Sequence, residues 1–290
     1  MKQRIPRQKR RSQLAEVFGR LLKNRMAIIG LCVLAMLALV AVFANQIADY
    51  DTVAIQQNYT ERFLSPSLKH PFGTDEFGRD IFARIVHGTR ISMFVGILSV
   101  SISLTLGGTL GAIAGYYGGA FDNVIMRILD VMLAIPGMLL AIAIVNSLGA
   151  SIPNMMISVG ISGVPGFARI TRAALLSVKD QEFIEASRAI GARDHTIILT
   201  HVLPNSLAPI IVQATLKAGT TINTVASLSF IGLGVKAPTP EWGAMLSGSR
   251  AFIRDYPHLV IFPGLAIMVV ILSLNLLGDG LRDALDPKLH

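Results

Sequence analysis

Charged side chains are scarce. They make up 15% of the 290 residues, against about 25% in an average soluble domain, which excludes an ordinary soluble fold. Cysteine is nearly absent too: Cys32 stands alone, inside an apolar run, and marks no redox compartment. The six histidines show no paired spacing on a helix, so a metal site has no sequence support. A phosphate-binding loop is also missing. "GTDEFGRD" (73–80) has Gly73 and Gly78 at the right separation, but Arg79 and Asp80 follow the second glycine where such a loop needs Lys and then Ser or Thr. Asp80 would set a negative charge beside a phosphate, so this segment is not an ATP site. No cofactor is expected in the chain itself.

What the sequence has in quantity is uncharged apolar length. Hydrophobic residues reach 52% and the mean hydropathy is +0.58. Asp, Glu, Lys and Arg are absent from residues 26–48, 91–121, 131–168 and 256–278, and from 195–235 apart from Lys217. A spanning helix needs roughly 20 predominantly apolar residues. Four of these stretches supply one span each. The stretch 131–168 is too long for one, and "SLGASIPN" (147–154) is a turn-like break within it. The expectation is an all-α integral membrane protein with six transmembrane helices.

Residues 1–25 carry nine Lys and Arg against Glu16, a net charge of +8 that equals that of the whole chain. The positive-inside rule puts this end in the cytoplasm. Nucleic acid is the usual rival partner for a basic arm, but beside an apolar helix the arm reads as an orientation signal that meets anionic lipid. A signal peptide has an apolar region of typically 7–15 residues, shorter than 26–48, so this is an uncleaved anchor. Six crossings return the C-terminus to the cytoplasm. The expected layout is a basic cytoplasmic segment at 1–25, a first transmembrane helix at 26–48 and an external segment at 49–90. A five-helix core at 91–281 and a cytoplasmic tail at 282–290 complete it. Within the core, 149–154 and 234–257 are external, and 173–204 is the largest cytoplasmic loop.

Two faces inside the spans stand out. Ser99, Ser103, Gly107, Gly111, Gly115 and Gly119 recur every four residues, and such small residues let membrane helices approach closely. This seam reads as helix packing. The fifth span carries Gln213, Lys217, Thr220, Asn223, Thr224 and Ser227 at steps that hold them to one face. Lys217 follows Asn205 by about 18 Å of helix, near the middle of an apolar core about 30 Å thick. An ionisable group there marks a polar cavity or a partner by default, although Lys can also snorkel. The stripe is the candidate translocation path. A different class of function is suggested by "GISG" (160–163): an intramembrane serine protease, with Ser162 as nucleophile and His258 as base.

The largest cytoplasmic loop holds "EFIEASRAIGARDHTIILTHVLPN" (182–205). Glu182 to Ile190 suits a helix that Gly191 ends. Asp194 is placed to cap a second helix, 195–203, and Pro204 with Asn205 marks the next break. Ile184, Ala186 and Ala189 are expected to be available for close contact. A connector needs only a few residues, so a structured loop of this length reads as a docking surface.

These residues resemble the EAA loop of ABC importer permeases. Glu185, Ala186, Gly191, Leu203 and Pro204 fall in register with that pattern; Ser187 replaces its second alanine and His201 its isoleucine. "FGTDEFGRDIFAR" (72–84), "MRILDVMLAIPGMLLAIAI" (126–144), "PTPEWGAML" (238–246) and "NLLGDGLRDALDPKL" (275–289) resemble one branch, the peptide/nickel permeases. Within it the likeness is to the C-type subunit of dipeptide and oligopeptide importers. The resemblance implies the type I importer permease fold, with the coupling loop at about 177–204. It implies alternating access driven by two ATP-binding partner subunits, which carry the ATP and Mg; this chain would hydrolyse nothing. It also implies a homologous B-type permease subunit and an external solute-binding protein, with di- or oligopeptides as cargo and nickel, glutathione or haem-like cargo as the alternative. The implied location is the bacterial inner membrane. Trp242 reads as an interfacial anchor, with the docking surface for the binding protein as its rival role. Arg79 and Asp80 read as residues that hold the external segment together.

Overall fold

The computed structural model describes residues 18–285. Most of the basic segment 1–25, and 286–290 of the C-terminal tail, lie outside the described residues. The helices are α1 (Arg25–Val42), α2 (Ile81–Tyr117), α3 (Gly119–Leu133), α4 (Gly137–Leu148), α5 (Ile152–Lys179), α6 (Glu182–Ala189), α7 (Asp194–Ile197), α8 (Leu203–Phe230), α9 (Trp242–Ser249) and α10 (His258–Leu285). A single turn at Ala44–Ile47 and several short 3₁₀ and π turns link them. No strand occurs among the described residues.

Four segments are long and apolar enough to cross a membrane unaided: α1, α2, Asp194–Phe230 and α10. The other two expected spans differ from the simple picture. α3 and α4 together pass the same test but are bent by 88° at 134–136, where Pro136 precedes α4 without an amide hydrogen to continue the ladder. Alone, the 12 residues of α4 rise only about 18 Å. α5 is 28 residues long, and 13 of them are buried. It packs between α2, α4 and α8; Pro165 is buried there, Asn154 donates to Leu148 O and Gly149 O, and Arg169 stays exposed and pairs with Asp130. The expected break between these two spans is where Gly149 adopts a φ of 89°, and the Ser151 hydroxyl then caps α5 by accepting from Asn154 N.

α2 starts at Ile81, well before the apolar stretch at 91. Its 37 residues extend about 55 Å, beyond an apolar core of about 30 Å, so its first turns lie in a layer outside that core, the one expected from the sequence to be the external layer. That layer is knitted by charge. The Asp75 carboxylate accepts from Phe77 N and Arg79 N and from Arg79 Nε at 2.7 Å. Asp80 caps α2 through Ala83 N at 2.8 Å and binds His70 Nδ1 at 2.8 Å. Arg79 and Asp80 hold the segment together, as read from the sequence. Trp242 is a correction: it is fully buried and its Nε1 donates to Ile85 O at 3.2 Å. It is neither a membrane-surface anchor nor part of an open docking face. "PTPEWGAML" is external in sequence, but α9 folds its indole into the core with Ile81, Ile222 and Leu259.

The small-residue seam faces α5. The Ser103 hydroxyl donates to Gly160 O at 2.6 Å. A Cβ on Gly107 would run into Val164 O, one on Gly111 into Ala168 O, and one on Gly115 would sit 3.0 Å from Arg172 O. Gly119 lies off the seam, with a φ of 54° and nothing close.

Candidate functional site

Glu182 and Glu185 in the first turn of α6 and Arg188 in its last suit the helix dipole. Gly191, at a φ of 82°, ends it in a Schellman arrangement. Its N–H reaches Arg188 O at 2.9 Å and the N–H of Ala192 reaches Ser187 O at 3.1 Å, satisfying carbonyls the helix leaves open. Glu182, Glu185, Ala186 and Ala189 are all exposed, and their spacing puts them on one face. The opposite side is anchored by Ile184, which is fully buried. Ile184 is therefore not available for contact with a partner; Ile190, 85% exposed, is. Ser187 is half-buried and donates to Phe183 O at 2.8 Å.

The second half of the loop departs from expectation in two places. Asp194 does not cap α7. Arg193 precedes the helix without a side-chain cap, and the Asp194 carboxylate accepts from the Tyr116 hydroxyl at 2.7 Å. Nor do Pro204 and Asn205 break the chain. α7 passes through a π-helical turn, Ile198–Val202, into α8, where Pro204 occupies the first turn, a position that tolerates its missing N–H. The wider turn sends Leu203 N–H to Ile198 O. Asn205 Nδ2 donates back to His201 O at 2.6 Å, and the Ser206 hydroxyl to Val202 O. Leu203 is half-buried and Pro204 exposed. The residues expected to form the coupling loop thus share one elbow, held by the buried cluster of Tyr116, Leu175, Val178, Ile184, Ile197 and Val202.

The polar stripe occupies the open face of α8. Lys217, Thr220 and Asn223 are exposed, and Gln213, Thr224 and Ser227 half-buried. The other face (Ala218, Ile222, Val225, Ala226) is buried. The Thr220, Thr224 and Ser227 hydroxyls donate to carbonyls of their own helix, Lys217 O, Thr220 O and Asn223 O. The Gln213, Lys217 and Asn223 side chains make no such bond. Asn223 and Ser227 line a crevice of about 390 Å³ with Met138 and Ile267. The protease constellation does not assemble. The Ser162 hydroxyl donates to Val159 O at 2.8 Å within α5, and the His258 ring packs in the external layer where a Cβ on Gly73 would touch it.

Sequence reasoning missed two ion pairs that join α3 to α5. Asp122 takes Arg172 in a two-pronged bond, each arm 2.5 Å, and Asp130 takes Arg169 Nη2 at 2.6 Å. The signal was present, because Asp130 and Arg169 are the very charges that bound the stretch 131–168.

Comparison with known proteins matches residues 107–290 to the family of binding-protein-dependent transport system inner membrane components. Residues 12–66 match the N-terminal transmembrane domain of oligopeptide transport permease C. The chain is 52% identical over 274 residues to the dipeptide transport system permease protein DppC of Alkalihalophilus pseudofirmus, covering 94% of this chain and 90% of that protein. It is 48% identical, with the same coverage, to the glutathione transport system permease protein GsiD of Escherichia coli. Among solved structures, inward-facing MetNI methionine ABC transporter resembles it with a TM-score of 0.58 at 18% identity, over 70% of this chain and 96% of that one. An amino acid ABC transporter with histidines gives 0.56 at 16% identity, over 70% and 94%. These two likenesses establish the fold. Helical bundle, elbow and sequence together carry one conclusion: the chain belongs to the binding-protein-dependent transport system inner membrane components, as a peptide-type, C-type permease of an ABC importer.

Proposed function

We propose that this chain works with a homologous B-type permease, two ATP-binding subunits carrying ATP and Mg, and an external solute-binding protein, and that its cargo is di- or oligopeptides. The observation that carries the reading is the elbow. It presents Glu182, Glu185, Ala186 and Ala189 outward while Ile184 and Ile197 lock it to the bundle. An acidic, small-residue ridge on a rigid seat is suited to insertion into a groove with a basic partner residue. Truncating a hydrogen-bonded charge pair buried at an interface costs about 2–5 kcal/mol. The cargo assignment is supported by the relatives named for dipeptide and for glutathione, itself a small peptide. On this reading both termini are cytoplasmic and the chain itself hydrolyses no ATP. The open stripe on α8 is the proposed wall of the path, completed by the second permease.

The test is a mild-detergent pull-down of the tagged chain from its native cells with mass spectrometry. A second permease and ATP-binding proteins are expected to co-purify, and Glu185→Lys to lose the ATP-binding proteins while still inserting. Recovery of the chain alone under several detergents would count against the reading.

A further inference from the structure

The chain joins the elbow only to α5 on one side and, through the π-helical turn, to α8 on the other. α2 has no direct covalent link to it, yet the cytoplasmic end of α2 packs on it through Ala112 and Tyr116, and Tyr116 makes the polar tie. Tyr116 is 5% exposed, with its ring among Val178 of α5, Ile184 of α6 and Ile197 of α7. Its hydroxyl reaches Asp194 across 78 residues of sequence. The guanidinium carbon of Arg188 lies 5.8 Å from the centroid of the same ring. Lys179, the last residue of α5, donates Nζ to Gly115 O and Tyr116 O at 3.3 Å each, setting a positive charge on the negative end of α2. One side chain therefore meets both helices of the elbow and the helix that leads into it.

The far end of α2 is fixed just as firmly in the external layer. Asp80 caps it, Arg84 Nη1 donates to Ala54 O and Pro238 O at 3.1 and 3.2 Å, and Trp242 holds Ile85 O. A single helix thus runs from the elbow to the outer face. The glycine seam keeps α2 alongside α5, but it does not fix the angle of the elbow on that pair. The apolar socket of Ile184, Ile197 and Val202 seats the elbow, and the Tyr116–Asp194 bond adds the directional tie to α2, because a hydrogen bond to a carboxylate is both strong and directional.

We infer that Tyr116 is a positioning residue for coupling: through Asp194 and Arg188 it hands displacement of the elbow to α2, and α2 carries it to the external layer. The inference rests on the importer reading above. It is tested in the intact complex, reconstituted with both permeases, the ATP-binding subunits and the binding protein, by the ATP hydrolysed per dipeptide moved. Tyr116→Phe fills the socket but removes the hydroxyl, and the ratio is expected to rise roughly fivefold, the low end of measured coupling between sites. Asp194→Asn keeps an acceptor oxygen and stays near wild type, whereas Asp194→Ala matches Tyr116→Phe. The double variant Tyr116→Phe/Asp194→Ala is no worse than either single change, the mark of one shared interaction. Normal assembly with a wild-type ratio in both Tyr116→Phe and Asp194→Ala overturns the inference alone, as do losses that simply add. A wild-type complex that holds no ATP-binding subunits overturns the importer reading and this inference with it.

Discussion

Glu241 shows what a single residue does in the external layer. It is fully buried, capping α9 through Ala244 N at 2.8 Å and accepting from the Ser92 hydroxyl at 3.0 Å. Burial pushes its carboxyl above the usual 4.5. A folded-state acid that holds its proton to higher pH than the unfolded chain contributes stability below the unfolded value, and that stability is lost as pH rises through the folded one. Glu241→Gln is therefore expected to lose this pH dependence, gaining on wild type in thermal half-inactivation temperature from pH 5 to pH 8. Parallel curves for the two proteins would count against it. Lys217 is the other telling residue. Its ammonium is exposed on the open face of α8, so Lys217→Met is expected to change dipeptide uptake at unchanged abundance. Wild-type kinetics would mean that the side chain only snorkels. Gly191 was legible from the sequence because a left-handed helix end calls for glycine. Asp194 was misread because an acid ahead of a helix is a normal cap, and nothing local reveals a tyrosine 78 residues upstream.

At the scale of elements, the α2–α5 seam is the most legible contact in the chain, since spacing of four in small residues has few other meanings in a membrane helix. The structure adds which members are indispensable. Gly111 faces the backbone carbonyl of Ala168, which cannot yield, whereas the nearest atom to a Cβ on Gly108 is Thr171 Oγ1 at 3.9 Å. Gly111→Val is expected to cost about 1–3 kcal/mol or more from overpacking and to cut the folded yield in detergent. Gly108→Ala leaves it at wild type, and equal yields from the two would contradict the packing. The bend between α3 and α4 was not legible, because hydropathy reports length and not direction. Nor was the π-helical turn before Pro204. A proline signals a break unless the preceding turn widens, and here Leu203 N–H reaches back to Ile198 O to allow it.

As a whole molecule, the protein is two layers joined by a bundle: an ion-paired cap at one end and the elbow at the other, with α2 running between them. Composition and charge point to the membrane class; of the six crossings the apolar runs predict, four helices are long and apolar enough alone and one more only as the bent α3–α4 pair. Trp242 was misplaced because its segment is external in sequence and only the tertiary fold draws it inward. In the proposed function, ATP hydrolysed on partner subunits drives transport through the elbow. The most direct measurement is ATP-driven uptake of a labelled dipeptide into proteoliposomes that contain the complete complex, with wild type and Glu185→Lys compared. ATP-dependent uptake is expected for the wild type, and its loss in the variant together with release of the ATP-binding subunits. Uptake that persists undiminished in Glu185→Lys with those subunits still bound would contradict it.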